Sequence, residues 1–423
     1  MTRRSLAADA LATWRALRLD ESELKRLAED RLADVLRLSR RTAFYTTRLQ
    51  DAGISSDDSL HAGNARDVLS RLPPVTKHEL RIAGPAALAG GRVRSSWRSS
   101  RSSGSTGEPF RVYYDPRAWL LLKHVVKLRA RAQCGVGPAD RVAILDALLP
   151  GERRPSLLER AGRVRRISAL QPREAIAAEL AEFRPHTVYG LPSVLLDVAG
   201  VFDGSGQLPS RIFTSGELLL PATRLRLVER FGCPVFDVYG TSETKEVAWE
   251  CEAGQRHVNA DVLLVEVLDD DGNPLPVGAE GRIAVTLLVN AAMPLLRYRT
   301  GDRGALEGGR CRCGVATPLL GVVSGREADV LVLDGGRRLS SYAITCALEQ
   351  VERVRRYRVD QIDRSSLLVR AILDEGANEV VAEGAMRTAL AAVLPGDLRL
   401  SVECVTALPN ESRAKSRVVH PMA

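Results

Sequence analysis

Between residues 110 and 240 the hydrophobic period of the chain switches repeatedly, and this alternation limits the folds available to it. "AWLLLKHVVKLRARAQ" (118 to 133) carries apolar residues at helical spacing, whereas "RVAILDALL" (141 to 149) is a short, nearly continuous apolar run. The same exchange repeats in "REAIAAELAEF" (173 to 183) and "HTVYG" (186 to 190), and again in "RIFTSGE" (211 to 217), "PATRLRLVERFG" (221 to 232) and "PVFDVYG" (234 to 240). Strands that alternate with helices predict a largely parallel sheet of the α/β class.

On either side the pattern differs. Residues 1 to 90 are mostly helical in pattern, and "LPPVTKHEL" (72 to 80) sets two prolines ahead of Thr76, the expected cap of the next helix. From about 260 to 333 short strands and turns replace the helices ("DVLLVEVLDDDGNPL", "GRIAVTLLV", "TPLLGVV"), which predicts a β-rich subdomain. The last 90 or so residues read helix, strand, strand, helix, strand. The expected fold is therefore α/β: a large N-terminal domain (1–326) with mixed or parallel sheets and a β-rich subdomain at about 258–325, then a small α+β C-terminal domain (327–423).

Composition removes several classes. The net charge is +8, but only six of the 60 basic residues are lysines, and the arginines are spread among acids without a basic stripe, so nucleic acid is not the expected partner. No apolar run reaches the 18 or so residues a membrane span needs. The start, "MTRRSLAADALATWRALRL", reads as an amphipathic helix of the mature protein, and a cytoplasmic location is expected. Seven cysteines do not make a disulfide framework; Cys134, Cys233, Cys346 and Cys404 sit singly in apolar surroundings as core thiols. His124 and His186 read as structural residues, and His61, His78 and His420 as surface positions.

Four stretches carry residue types suited to nucleotide chemistry. "SSGSTGEP" (102 to 109) combines Gly104 and Gly107, which open backbone conformations closed to other residues, with the hydroxyls of Ser102, Ser103, Ser105 and Thr106, so its NH and OH groups can converge on an anion. No GxxxxGK[ST] occurs anywhere, so it is not a Walker A loop. In "DVYGTSE" (237 to 243), Asp237 and Gly240 flank Tyr239, whose ring can stack on a base; Thr241 can reach a phosphate and Glu243 can hold Mg²⁺. The same residues also suit a helix start capped by Thr241 or Ser242. "YRTGD" (298 to 302) offers Asp302 after a turn glycine, and "GREAD" (325 to 329) offers Arg326.

Cys251, His257, Cys311 and Cys313 form a second constellation. Their C-x5-H and C-x-C spacings supply a Cys₃His set suited to structural Zn²⁺, although C-x-C also occurs as turn chemistry.

In this order the stretches resemble the adenylate-forming superfamily of acyl-CoA ligases, luciferases and nonribosomal adenylation domains. The phenylacetate-CoA ligase branch is matched in more detail, by "LPPVTKHEL", "YGLPSVL" (189 to 195), "AWEC" (248 to 251), "HVNAD" (257 to 261) and "MPLLRYRTGD" (293 to 302). The resemblance implies that a carboxylate attacks the α-phosphate of ATP, giving an acyl-adenylate and pyrophosphate, and that coenzyme A then displaces AMP. Residues 102 to 107 would hold the β and γ phosphates. Tyr239 with Ser215, Gly216 and Glu217 would lie at the adenine, Asp302 and Arg326 at the ribose, and Thr241 and Glu243 at the α-phosphate and Mg²⁺. Lys415 would be the adenylation lysine and Asp329 the hinge of a mobile C-terminal domain. Tyr189, Gly190, Pro192, Thr214 and Lys245 would line a pocket for a small, aromatic or otherwise compact acid. The branch has similar cysteines and a histidine at the matching places, which implies Zn²⁺.

The chain departs from the pattern at Glu108, where a lysine is usual, at Ala414, where a glycine precedes the catalytic lysine, and at Arg417, which follows one place closer than usual. Transfer of the acyl group to an amine or a carrier protein stays open beside coenzyme A, as does a non-catalytic nucleotide-binding relative. A homodimer is compatible with the sequence.

Overall fold

The computed structural model describes residues 5–54, 60–101, 110–146, 157–202, 208–321, 325–326, 331–334, 338–339, 344–345, 347–348, 350–408 and 419–422. They form two compact units, residues 1–137 with 236–323, and residues 138–235 with 324–423.

The first unit begins with helices whose ends are fixed locally. Asp20 and Glu23 form a capping box at the start of Glu21–Ser39, and Thr76 and Glu79 form another at the start of Lys77–Ala83, as the prolines before Thr76 led us to expect. Leu32 and Leu36 of the first of these, with Tyr45 and Leu49 of helix Ala43–Asp51, are buried in one core with Val112, Ile283, Val285 and Leu295. Three strands, Leu263–Leu268, Gly281–Leu287 and Tyr298–Gly304, pair antiparallel in chain order, as the β-rich pattern predicts. A second antiparallel run joins Val235–Thr241 to Lys245–Glu250 and then to Arg256–Val258. The helical segment at 118 to 133 forms as three consecutive pieces: Pro116–Leu120, a π-helical turn Leu121–Val125, and Val126–Gln133.

"HVNAD" has a structural reason for its polar residues. Asp261 is 1% exposed, and Arg31 and Arg129 both bind its carboxylate; Arg129 also donates to the Asn259 side chain at 3.0 Å. Removing one partner from such a buried set leaves a charge uncompensated, which is costly, so the cluster fixes where the first helices meet this loop.

The second unit contains the alternating segment. Val164–Ser168, Val142–Asp146, Thr187–Gly190 and Arg211–Ser215 lie side by side, all parallel, and helices Arg173–Phe183, Pro192–Ala199 and Pro221–Phe231 connect or follow them. Val188, Ile212, Leu195 and Leu227 make their shared core. A separate core gathers Val359, Val369, Met386 and Leu390 from Val354–Asp363, Ser366–Leu373 and helix Glu379–Ala391. Among the described residues no helix is long and apolar enough to cross a membrane.

Candidate active site

Strand Val235–Thr241 turns back into strand Lys245–Glu250, with Thr241 opposite Lys245 in the register. The helix start that "DVYGTSE" also allowed is not formed. The Thr241 Oγ1 accepts hydrogen bonds from the backbone N–H of Glu243 (3.2 Å) and of Thr244 (3.0 Å), closing a turn between two strands where a helix cap would have opened the first turn of a helix. The hairpin is tight at one point. A Cβ on Gly240 would stand 2.3 Å from the Lys245 carbonyl oxygen, so only glycine fits there. Lys245 itself adopts φ 65°, in the left-handed region that side chains other than glycine and asparagine rarely occupy.

The Tyr239 hydroxyl donates to Asp302 Oδ2 at 2.8 Å and lies 3.2 Å from Thr300 Oγ1. Two stretches 63 residues apart in sequence are thus joined directly. Asp302 follows Gly301 (φ 83°) within strand Tyr298–Gly304, where the register against Gly281–Leu287 shifts. The glycine expected in a turn therefore sits at a strand irregularity, which re-aims the next side chain.

Glu243 is 7% exposed, and its Oε1 lies 3.3 Å from Lys77 Nζ. The Tyr298 hydroxyl also bonds this carboxylate, and the Tyr114 hydroxyl donates to the Glu243 carbonyl at 2.6 Å. Burial first, and the negative Glu243 second, push the Tyr298 phenol well above its ordinary range, so it stays protonated as a donor. Lys77 and Tyr298 were missed as site residues from the sequence, although both lie inside the quoted "LPPVTKHEL" and "YRTGD". Asp237 is buried in an ion pair with Arg256 at 3.1 Å, and its backbone N–H donates to Glu250 Oε2.

In the second unit, Thr214 and Ser215 end strand Arg211–Ser215, and Gly216 turns the chain with φ 90°. Glu217 Oε2 accepts from the Ser193 backbone N–H at 3.1 Å, at the start of the helix that Pro192 opens. A carboxylate at a helix N-terminus is favourably placed, and this bond ties the "SGE" stretch to "YGLPS". Tyr189 stacks on Phe213, centroids 6.3 Å apart, and Gly190 is held close to Leu145 and Leu195, where a Cβ would come within 3.2 and 3.3 Å. Ser102 to Gly107, Asp329 and Lys415 lie outside the described residues, as does the side chain of Arg326, whose backbone is in strand Gly325–Arg326.

The four metal-ligand candidates converge. One ligand atom from each of Cys251, His257, Cys311 and Cys313 lies within 4.8 Å of all the others. The Cys251 and Cys311 sulfurs are 3.6 Å apart, and Cys313 Sγ is 3.2 Å from His257 Nε2. Two bonds of about 2.3 Å at a tetrahedral angle would separate sulfurs by roughly 3.8 Å, so the set fits Zn²⁺. His257 Nδ1 lies 3.0 Å from Thr317 Oγ1, which leaves Nε2 toward the sulfurs, and burial lowers the ring's proton affinity to a pKa of about 4, so it is neutral.

One hairpin thus presents tyrosine, threonine and glutamate, with an aspartate bridged to that tyrosine, the set expected of an adenylate-forming enzyme. The comparisons agree. No protein-family model matches the chain. It is 29% identical over 333 residues to a phenylacetate-coenzyme A ligase of Thermus thermophilus, covering 75% of this chain and 73% of that protein. Its fold matches that of 2-hydroxyisobutyryl-CoA ligase in the postadenylation state in complex with R3-HIB-AMP, with a TM-score of 0.77, 20% identity, and coverage of 96% of this chain and 91% of the other. The same ligase in complex with 2-HIB-AMP and CoA in the thioesterification state gives a TM-score of 0.64 at 21% identity, over 96% and 91% of the two chains. The chain thus has the fold of an acyl-CoA ligase and is similar in sequence to phenylacetate-CoA ligases over three quarters of its length.

Proposed function

We propose that the protein is an AMP-forming acid-CoA ligase that couples ATP to a compact carboxylic acid through an acyl-adenylate and then transfers the acyl group to coenzyme A. One observation carries the reading: the Tyr239 to Asp302 hydrogen bond joins the ribose-binding candidate to the base-stacking candidate, which shares its hairpin with Thr241 and Glu243. The ligase relatives support coenzyme A as the acceptor over an amine or a carrier protein.

The first half-reaction brings a carboxylate onto a polyphosphate, so alignment and charge neutralisation matter more than covalent help. Thr241, its oxygen engaged by two backbone N–H groups and 2.9 Å from the Thr244 hydroxyl, would donate its proton toward an α-phosphate oxygen. Glu243 is buried and already paired with one cation, Lys77, so it suits Mg²⁺ as a single protein carboxylate, the other ligands being phosphate and water. Bound there, Mg²⁺ would neutralise phosphate charge. Asp302 would accept from ribose hydroxyls, with Tyr239 holding its carboxylate and stacking on the adenine beside Ser215, Gly216 and Glu217. Asp237 would support the strand from its pair with Arg256. Residues 102 to 107 would hold the outer phosphates, Arg326 the ribose, and Lys415 the transition-state charge. Tyr189, Gly190, Pro192 and Thr214 would line the acid pocket. A C-terminal domain from 327 would turn about Asp329 between the half-reactions. Zn²⁺ in the Cys₃His set would be structural.

Pyrophosphate release measured over a panel of carboxylic acids, with and without coenzyme A, tests the reading. Acid-dependent release of pyrophosphate and formation of an acyl-CoA are expected. Release of inorganic phosphate in place of pyrophosphate would rule the reading out.

A further inference from the structure

Lysine is scarce in this chain, yet four of its six lysines, Lys77, Lys123, Lys127 and Lys245, gather around the Thr241 hairpin. Lys77 pairs there with Glu243 at 3.3 Å and Lys127 with Glu246 at 3.7 Å. Lys245 does not. Its Nζ donates to the Ser242 carbonyl at 2.7 Å and lies 4.7 Å from the Tyr114 ring centroid and 5.6 Å from that of Trp119. Glu243, itself paired with Lys77, acts on Lys245 electrostatically, but among the described residues it makes no ion pair with it. Lys123, exposed on the π-helical turn, places its Nζ 6.0 Å from the centroid of the same Trp119 ring.

Three features say that this lysine is placed deliberately. Its backbone is held at φ 65°, in the left-handed region that a residue with a side chain rarely adopts. The facing helix departs from α geometry at the turn carrying Lys123, and such π turns occur frequently at functional sites. The register sets Lys245 directly across from Thr241, so both side chains leave the same face of the hairpin.

We propose that Lys245, with Lys123 and the Trp119 and Tyr114 rings, is the recognition site for the far end of the acid, and that the substrate is a compact carboxylic acid carrying a second anionic group. The proposal rests on the acid-activating reading and names its substrate class. An ammonium has three donors, and Lys245 spends one on the Ser242 carbonyl. An apolar acid end would bury the remaining donors without partners, at a cost, whereas a second carboxylate would accept charge-assisted hydrogen bonds from them. Lysine suits this as a compact point charge, in a chain that elsewhere uses arginine. The short distance between register partners confines the acid to a few carbons between its two ends.

The test compares matched acids on the full chain: phenylacetate with 4-carboxyphenylacetate, and butyrate with succinate, by kcat/KM for pyrophosphate release. The wild type should prefer the diacid of at least one pair about tenfold or more, and Lys245→Met should lower that ratio about tenfold or more, as expected for losing a hydrogen bond to a charged group. Lys123→Met should lower it less. Preference for the monoacids in the wild type, or an equal fall for both members of each pair in Lys245→Met, would overturn the proposal; the second result would assign the ammonium to the reacting carboxylate. Should Lys245→Met fail to fold, the wild-type ratio and Lys123→Met decide. Pyrophosphate release with none of the acids, in a panel widened to other acids, would instead overturn the acid-activating reading itself.

Discussion

Gly240→Ala is the sharpest test of the hairpin that carries the site. The added Cβ would lie 2.3 Å from the Lys245 carbonyl oxygen, 3.0 Å from its carbonyl carbon and 3.1 Å from the Glu246 Cα. All three are backbone atoms, so no rotamer change relieves the overlap, and the strands must part by about 1 Å to restore ordinary contact. Overpacking costs about 1 to 3 kcal/mol, and losing one or two hairpin hydrogen bonds adds about 1 kcal/mol each, which gives roughly 2 to 5 kcal/mol. The chain's tryptophans, Trp14, Trp97, Trp119 and Trp249, all belong to the first unit, so their fluorescence in urea follows the unfolding of that unit. The midpoint should fall. Pyrophosphate release should fall further than the folded fraction, because a displacement of about 1 Å at Thr241 and Glu243 can cost a hundredfold. Gly384→Ala is the control: it lies in helix Glu379–Ala391 with nothing within 4 Å of the added Cβ, and should be neutral or slightly stabilising. A Gly240→Ala protein with the wild-type midpoint and wild-type turnover would refute the geometry.

Three further outcomes follow. The purified protein should carry about one zinc per chain, and Cys311→Ser should lower thermal stability more than ATP affinity, since a closed site contributes to folding; metal analysis without zinc, in protein never exposed to chelator, would remove the site. Glu243→Gln should reduce pyrophosphate release and raise the Mg²⁺ concentration needed for half-maximal rate, and an unchanged Mg²⁺ dependence would take Glu243 out of metal binding. Lys415→Ala should slow acyl-adenylate formation on the order of a hundredfold while leaving transfer from a supplied acyl-adenylate intact. If both halves fell together, or neither did, the role given to Lys415 would be wrong.

The fold was readable where chemistry repeats along the chain. Alternating periods gave the parallel strands of the second unit, and the prolines before Thr76 marked it as a helix cap, though not its reciprocal bond with Glu79. The Cys₃His set was readable as spacing, but its closeness depends on pairings between Arg256–Val258 and Leu319–Leu320 that no local pattern encodes. "DVYGTSE" satisfies the chemistry of a helix start and of a hairpin equally well; long-range pairing with Lys245–Glu250 decides between them. The Lys77 partner of Glu243 and the ring contacts of Lys245 come from residues more than a hundred positions away, and a π-helical turn leaves no periodic mark in five residues. These features arise from packing, which a single sequence states only indirectly.

The central claim is that the acid's own oxygen becomes bonded to the α-phosphate of ATP. A turning-over acid labelled with oxygen-18 in both carboxylate oxygens tests this directly, with AMP and acyl-CoA analysed by mass spectrometry. Attack of the carboxylate on the α-phosphate, followed by cleavage of the acyl carbon–oxygen bond, leaves one labelled oxygen in each AMP and one in each acyl-CoA. Label appearing in inorganic phosphate, with AMP unlabelled, would contradict the adenylate route.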